Sequence, residues 1–351
     1  MLTRLRVSGF KNLVDIDVRF GPFTCVAGVN GVGKSNLFDA ILFLGSLADR
    51  SLLEAVTGVR GETRSADAMR VFSRWPGGAS SEMRFEAEML VPREARDDLD
   101  QVAKASITFL RYTLAIGARA GDRSIPQLEV LEEHLDYIKK GELTNALPFA
   151  KGEKAWQDSV FQGRRTSPLI STGKVPEGTF IRLHEDSGHQ GRARLLKADG
   201  LTRTLLSTIN TAENPTALVA RRELQSWRLL QLEPSRLRAP DDMKAKDSLS
   251  PDGQGLPATL HRLLRSTDDP ERIRVRLSNR LRELLEDVHD VRVDEDEKRE
   301  LLTLLVKTSD ELEFRARDLS DGTLRFLALA VLERDPSWSG LVCMEEPENG
   351  I

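Results

Sequence analysis

The chain has 351 residues, 40% of them apolar and 30% charged, with a formal net charge of −4. That length can bury a sizeable core and has room for about two domains, one of which can be inserted in the other. No window approaches eighteen consecutive apolar residues and the N-terminal MLTRLRVSGF lacks a signal-peptide core, so no membrane partner and a cytoplasmic location are expected, and the acidic balance leaves no global positive field for nucleic acid.

In chain order, alternation at Leu2, Leu5 and Val7 predicts an edge strand, and Ile16 to Phe20 a second strand after a turn at Lys11-Asn12. The apolar run Phe23 to Ala27 predicts a short buried strand that leads into GVNGVGKS, Gly28 to Ser35. Two glycines five apart, then Lys and a hydroxyl residue, make this a P-loop. Gly28, Gly31 and Gly33 keep side chains out of the way of backbone N–H groups that wrap a triphosphate. Residues Asn30, Gly31, Val32, Gly33, Lys34, Ser35 and Asn36 are therefore the predicted ATP cradle. Lys34 reaches the β- and γ-phosphates, and Ser35 is a ligand for Mg²⁺. Leu37, Ile41, Leu44 and Ala48 recur at helical spacing, so a helix N-terminus points at the phosphates.

VSGFKNL followed by GVNGVGKSNLFDAI resembles the ATPase heads of the RecF/SMC-like branch of the ABC superfamily and its relatives among OLD-type and small bacterial ATPases. The resemblance implies a P-loop ABC-type α/β head with an N-terminal antiparallel β subdomain and an inserted α+β/helical arm region. Phe10 and Lys11 match an aromatic-basic pair that in this family lies near the nucleotide, which makes Lys11 a nucleotide-contact candidate.

Ser51 to Val56 reads as a short helix ending at Gly58 before the Arg/Gly-rich VRGETR, and Glu82 to Val91 and Ile107 to Ile116 read as strands of a continuing antiparallel sheet. Further on come a mixed apolar stretch at Leu128 to Ile138, a hairpin of Phe180 to Leu183 and Ala193 to Leu196 around DSGHQG, and helical signals at Leu201 to Ile209 and Ala217 to Leu224. Heptad repeats of coiled-coil length are absent. Trp227 to Leu232 predicts a strand, and the proline-punctuated DDMKAKDSLSPDGQGLP a flexible link. The predicted divisions are 1–117, the P-loop part of the head; 118–257, the insertion and return link; and 258–351, the remainder of the head.

Asp269-Pro270 opens a helix with apolar positions at Ile273, Leu277, Leu281, Leu284, Leu285 and Val288. It carries Arg272, Arg276 and Arg280 on one stripe, either a DNA-phosphate contact or a solvated face, with Glu271, Glu283 and Glu286 close by. Strands at Val288 to Val293 and Leu301 to Lys307 follow. Then come Leu319-Ser-Asp-Gly-Thr-Leu324, an apolar helix over Phe326 to Leu332, and the apolar run Leu341 to Met344 ending in Glu345-Glu346.

In this order after a P-loop, these resemble an ABC signature motif and Walker B strand. The resemblance implies that Ser320 and Gly322 approach the γ-phosphate of ATP held by a second copy, that Glu345 is associated with Mg²⁺, and that Glu346 polarises the attacking water. Asp321 departs from the commoner glycine and adds a negative charge. The family's Q-loop glutamine has Gln101 and Gln127 as candidates by position. The resemblance further implies a core strand and switch histidine after Walker B, so a C-terminally shortened chain is expected. The expected function is slow, dimer-dependent ATP hydrolysis by ATP-sandwiched heads in a homodimer or higher oligomer. It gates a DNA-related activity, either anti-phage defence with a separate nuclease or effector, or DNA repair and maintenance; the alternative is an ATP-dependent scaffold with little turnover. The five His lack metal-ligand spacing, and Cys25 and Cys343, both in apolar runs, are expected as buried reduced thiols.

Overall fold

A computed structural model describes residues 1–59, 68–120, 126–163, 165–176, 178–186, 194–283 and 288–347. Most of VRGETR and of the DSGHQG turn, and Leu284, Leu285 and Glu286 of the Asp269 helix, lie outside the described residues. The chain divides into two compact units, Met1–Trp227 and Arg228–Ile351, with the division inside the segment assigned to the insertion and return link.

The first unit is built on an eight-stranded antiparallel sheet. Its spatial order is 194–197, 178–183, 170–175, 126–137, 109–120, 82–90, 2–10 and 13–19. The predicted first strand runs longer, Leu2–Phe10, and is not an edge: it pairs on one side with Leu13–Arg19 and on the other with Glu82–Leu90. The mixed stretch near 128–138 is a strand, Pro126–Tyr137, and the predicted hairpin pairs Phe180 with Lys197 and Leu183 with Arg194. One face is apolar. Leu2, Leu5, Val7, Phe85, Ala87 and Met89 are buried there, and the helix Lys34–Ser46 buries Leu37, Ile41, Phe43 and Leu44. The Phe10, Phe43 and Phe85 rings meet with centroids 5.5–5.6 Å apart, contacts that add to area burial. At Gly45 the same helix approaches the helix Pro215–Gln225 so closely that a Cβ would lie 2.9 Å from the Leu224 carbonyl.

Three further expectations fail in this unit. Residues 22–29 form no strand: Phe23 is 89% exposed and Cys25 is exposed, so Cys25 is not the buried thiol expected. Among the described residues no neighbouring strand takes their backbone N–H and C=O groups, and an apolar run without a ladder partner stays irregular. The helical signal at 201–209 is a single turn, Leu206–Thr208. There Ser207 donates its N–H to the Thr204 hydroxyl and its own hydroxyl to the Thr204 carbonyl, the local bonding by which such residues compete with helix, while the Thr204 hydroxyl donates to the distant Leu47 carbonyl. Glu133 anchors this turn from the sheet, its carboxylate accepting from the Leu205 and Leu206 N–H groups and from the Tyr112 hydroxyl.

The second unit packs the helices Leu256–Arg265, Pro270–Arg282 and Asp321–Arg334 with a sheet in which Leu301–Thr308 pairs with Val288–Asp296, Asp241–Asp242 and Glu313–Arg315. Leu260, Leu277, Leu304, Val306, Leu324 and Leu327 form its core. Asp269 caps its helix through the Arg272 N–H, as expected, whereas Val288 belongs to the following strand. The predicted flexible link is exposed over much of its length but anchored at single residues. Asp241 is 4% exposed and accepts from the Ala258 N–H at 3.0 Å, while Leu249 is buried. The expected Trp227 strand shortens to Arg228–Leu230 and pairs in parallel with Val342–Met344. Among the described residues this is the only parallel pairing.

Candidate functional site

In the first unit the P-loop residues come together at the start of the helix Lys34–Ser46. Gly31 and Gly33 have φ of 82° and 110°, a region that costs other residues strain. A Cβ on Gly31 would meet nothing within 4 Å, whereas one on Gly33 would lie 2.6 Å from the Asn12 amide. Asn12 is a residue that sequence reasoning passed over. It sits in the turn between the first two strands, donates to the Val32 carbonyl at 3.2 Å, and accepts from the Asn36 amide at 2.8 Å. The loop is thus held from outside while its inner surface stays bare. Lys34 lies within the loop, its ammonium donating to the Gly28 and Val29 carbonyls at 2.5 and 3.2 Å. Ser35 follows in the first helical turn. Bare N–H groups, a helix N-terminus and one ammonium suit a polyphosphate, and a hydroxyl beside them suits Mg²⁺.

The aromatic-basic pair is split. Phe10 is fully buried in the ring cluster, so it is a core residue and not a nucleotide platform. Lys11, with φ 48°, turns its ammonium to the Asp39 carboxylate at 2.6 Å. Asp39 is 4% exposed on the P-loop helix, so Lys11 ties the hairpin turn to that helix.

In the second unit the strand Val342–Met344 delivers Glu345 and Glu346 to its C-terminal end, and Glu346 takes φ 45°, strained for a non-glycine residue. Its parallel neighbour ends at Leu230, which places Gln231 beside Glu345, amide to carboxylate, at 3.4 Å. Gln231 was not singled out from sequence; an apolar strand followed by glutamine was the available signal. Gln101 is in an exposed turn and Gln127 is on the sheet beside Arg119. Cys343 is buried two residues before Glu345, and burial, with the Glu345 charge, pushes its thiol up to about 12.

Ser320 is the N-cap of the helix Asp321–Arg334, its hydroxyl accepting from the Thr323 N–H at 3.1 Å, with Gly322 in the first turn. Arg238 completes this turn by donating to the Leu319 carbonyl at 3.0 Å and the Asp321 carboxylate at 2.5 Å. On the arginine-rich helix, Arg272 and Arg276 are exposed, while Arg280 pairs with Glu283 and Glu333.

The family described as "AAA domain, putative AbiEii toxin, Type IV TA system" matches residues 139–351. The chain belongs to this family. Membership bears out the resemblance to OLD-related ATPases of the RecF/SMC-like branch. Within this AAA family chain, 48 residues are 48% identical to the OLD nuclease of Thermus scotoductus, a stretch covering 13% of this chain and 9% of that protein. Among solved structures, an Smc head bound to the C-winged helix domain of ScpA is 15% identical, with TM-score 0.44, over 97% of this chain and 78% of that one. The SMC head domain from Thermotoga maritima is 11% identical, with TM-score 0.36, over 100% and 79% of the two chains. An Smc head with an extended coiled coil, bound to the C-terminal domain of ScpA derived from Pyrococcus furiosus, is 13% identical, with TM-score 0.41, over 100% and 83%.

Proposed function

We propose that this chain binds and hydrolyses ATP as an ABC-type ATPase that associates with a second copy when ATP is bound. The observation that carries this reading is the loop Gly28–Ser35, with two glycines in left-handed backbone and the Lys34 ammonium drawn into it at the head of a helix. Lys34 and the N–H groups of residues 31–36 hold the phosphates. On the P-loop unit Ser35 would offer its hydroxyl to Mg²⁺; on the other unit Glu345 would bind Mg²⁺ through water, its carboxylate oriented by the Gln231 amide. Mg²⁺, when bound, supplies charge neutralisation at the phosphates. Glu346 accepts a proton from the attacking water, and Ser320 and Gly322 offer a helix N-terminus to the γ-phosphate of ATP on the second copy. Turnover is slow because the site works by positioning and is complete only on association.

We further propose a defence setting in which ATP-driven association gates a separate DNA-directed effector; its defence side is supported by the family description, which names a toxin–antitoxin system, and by the OLD nuclease match. The test is equilibrium binding of ATP and Mg²⁺ alongside turnover, for the wild type, Lys34→Ala and Glu346→Gln. Lys34→Ala should weaken ATP binding by about tenfold or more, the loss of a charge-assisted contact. Glu346→Gln should keep binding and lose turnover. Unchanged affinity in Lys34→Ala sinks the P-loop reading, and unchanged turnover in Glu346→Gln sinks the assignment of the base.

A further inference from the structure

Asp321 places a carboxylate at the first position of the helix whose N-terminus is read above as the phosphate contact of a second copy. An acid there suits an isolated helix, because it answers the positive end of the dipole. For an incoming phosphate it is a like charge and a competitor for the same N–H groups. Arg238 answers both problems from a distant part of the unit. Its Nη2 donates to the Leu319 carbonyl, on the N-terminal side of the cap, and to the Asp321 carboxylate, on the helical side, so it spans Ser320. The preceding residue, Leu237, is 0% exposed within the same core cluster as Leu324 and Leu327. Gly253 leaves room for it, since a Cβ there would lie 2.8 Å from Leu237 Cδ2. The backbone carrying Arg238 is therefore set by packing against the very helix whose entrance the side chain holds. Arg238 and Asp321 are half-exposed, at 30% and 48%, so the pair borders solvent where a phosphate would arrive.

We propose that Arg238 is a positioning residue of the ATPase: it fixes the turn Leu319–Gly322 and neutralises Asp321, so that this helix N-terminus receives the nucleotide phosphate held by a second copy of the chain. The inference rests on the reading of Ser320 and Gly322 as that contact.

The experiment uses the full chain with Arg238→Gln, Arg238→Lys, Asp321→Asn, the double variant Arg238→Gln/Asp321→Asn, and Gly322→Asp. Two quantities are read: ATP-dependent self-association by sedimentation, and hydrogen exchange of residues 319–324 without nucleotide. Arg238→Gln should weaken association by about tenfold, leave ATP affinity within about twofold, and speed exchange in the turn, with Arg238→Lys between it and wild type. Asp321→Asn alone should stay within about threefold of wild type, and the double variant should recover at least about half of the logarithmic loss, because the charge that needed an answer is gone. Association unchanged in Arg238→Gln, or no recovery in the double variant, overturns the proposal. Failure of the underlying reading looks different: the wild type does not associate with ATP, or Gly322→Asp associates as well as wild type. Exchange in the turn then decides by itself whether Arg238 positions it, and unchanged exchange in Arg238→Gln overturns that as well.

Discussion

Alanine at position 33 should disable the P-loop for two separable reasons. Gly33 has φ 110°, where an L-residue carries about 1–2 kcal/mol of backbone strain. Its new Cβ would also stand 2.6 Å from Asn12 Nδ2 and 2.7 Å from Oδ1, so the Asn12 amide must move. Moving it breaks the bonds to Val32 and Asn36, each worth about 0.5–1 kcal/mol at this exposed site. Together that is about 2–4 kcal/mol against the nucleotide-ready loop, a fall in ATP affinity on the order of a hundredfold. Titration of Mg-ATP into Gly33→Ala, Asn12→Ala and the double variant apportions it. Asn12→Ala should lose only the hydrogen-bond part. The double variant should lose less than the sum of the singles, because the clash has been removed. ATP affinity within about threefold of wild type in Gly33→Ala would refute the reasoning, since neither strain nor clash would then matter to binding.

Glu133 predicts a pH dependence of stability. Burial raises its carboxyl from 4.5 to about 7 against the pull of its hydrogen bonds. A folded value above the unfolded one means that its proton stabilises the fold: the contribution is full below pH 4.5 and is lost as pH rises through about 7. The span is at most about 3 kcal/mol. Glu133→Gln should flatten the urea midpoint between those limits while lowering stability at low pH, because its NH₂ faces one of two backbone N–H groups; equal pH slopes in the two proteins would contradict this. The two thiols should also separate in native protein. Exposed Cys25 should react with a thiol reagent at pH 8, while buried Cys343, pushed up to about 12, should react only after denaturation. Comparable native labelling of both would show that the Val342–Met344 strand is open.

What the sequence made legible was local. The P-loop is a contiguous set of residues whose chemistry dictates its backbone, and its helix buries the expected Leu37, Ile41 and Leu44. Alternation marked most strands of the large sheet, because a half-buried strand writes its period into the chain. What remained hidden was carried by partners far apart. Leu2–Phe10 reads as an edge until Glu82–Leu90 is known to lie beside it. Residues 23–27 have a strand's composition but, among the described residues, no strand alongside, so composition misled. The polar stretch 241–257 looks like a link because its anchors are single residues, Asp241 at a helix N-terminus and Leu249 in the core. Asn12, Gln231 and Arg238 each gain meaning only from a contact across the fold, to Val32, Glu345 and Asp321.

The parallel pairing of Arg228–Leu230 with Val342–Met344 has a consequence for biosynthesis. A parallel strand cannot borrow a hairpin, and these two are joined only through the helices and sheet between them. While a ribosome is still making those elements, the earlier strand waits with an unfilled edge, and the carboxylates Glu345 and Glu346 do not yet exist. A half-made chain can form the phosphate loop without owning the groups assigned to hydrolysis. Under the proposed function, a nascent chain could therefore hold a nucleotide but not spend it, and commitment to the enzyme would come with one of its slowest, most long-range contacts.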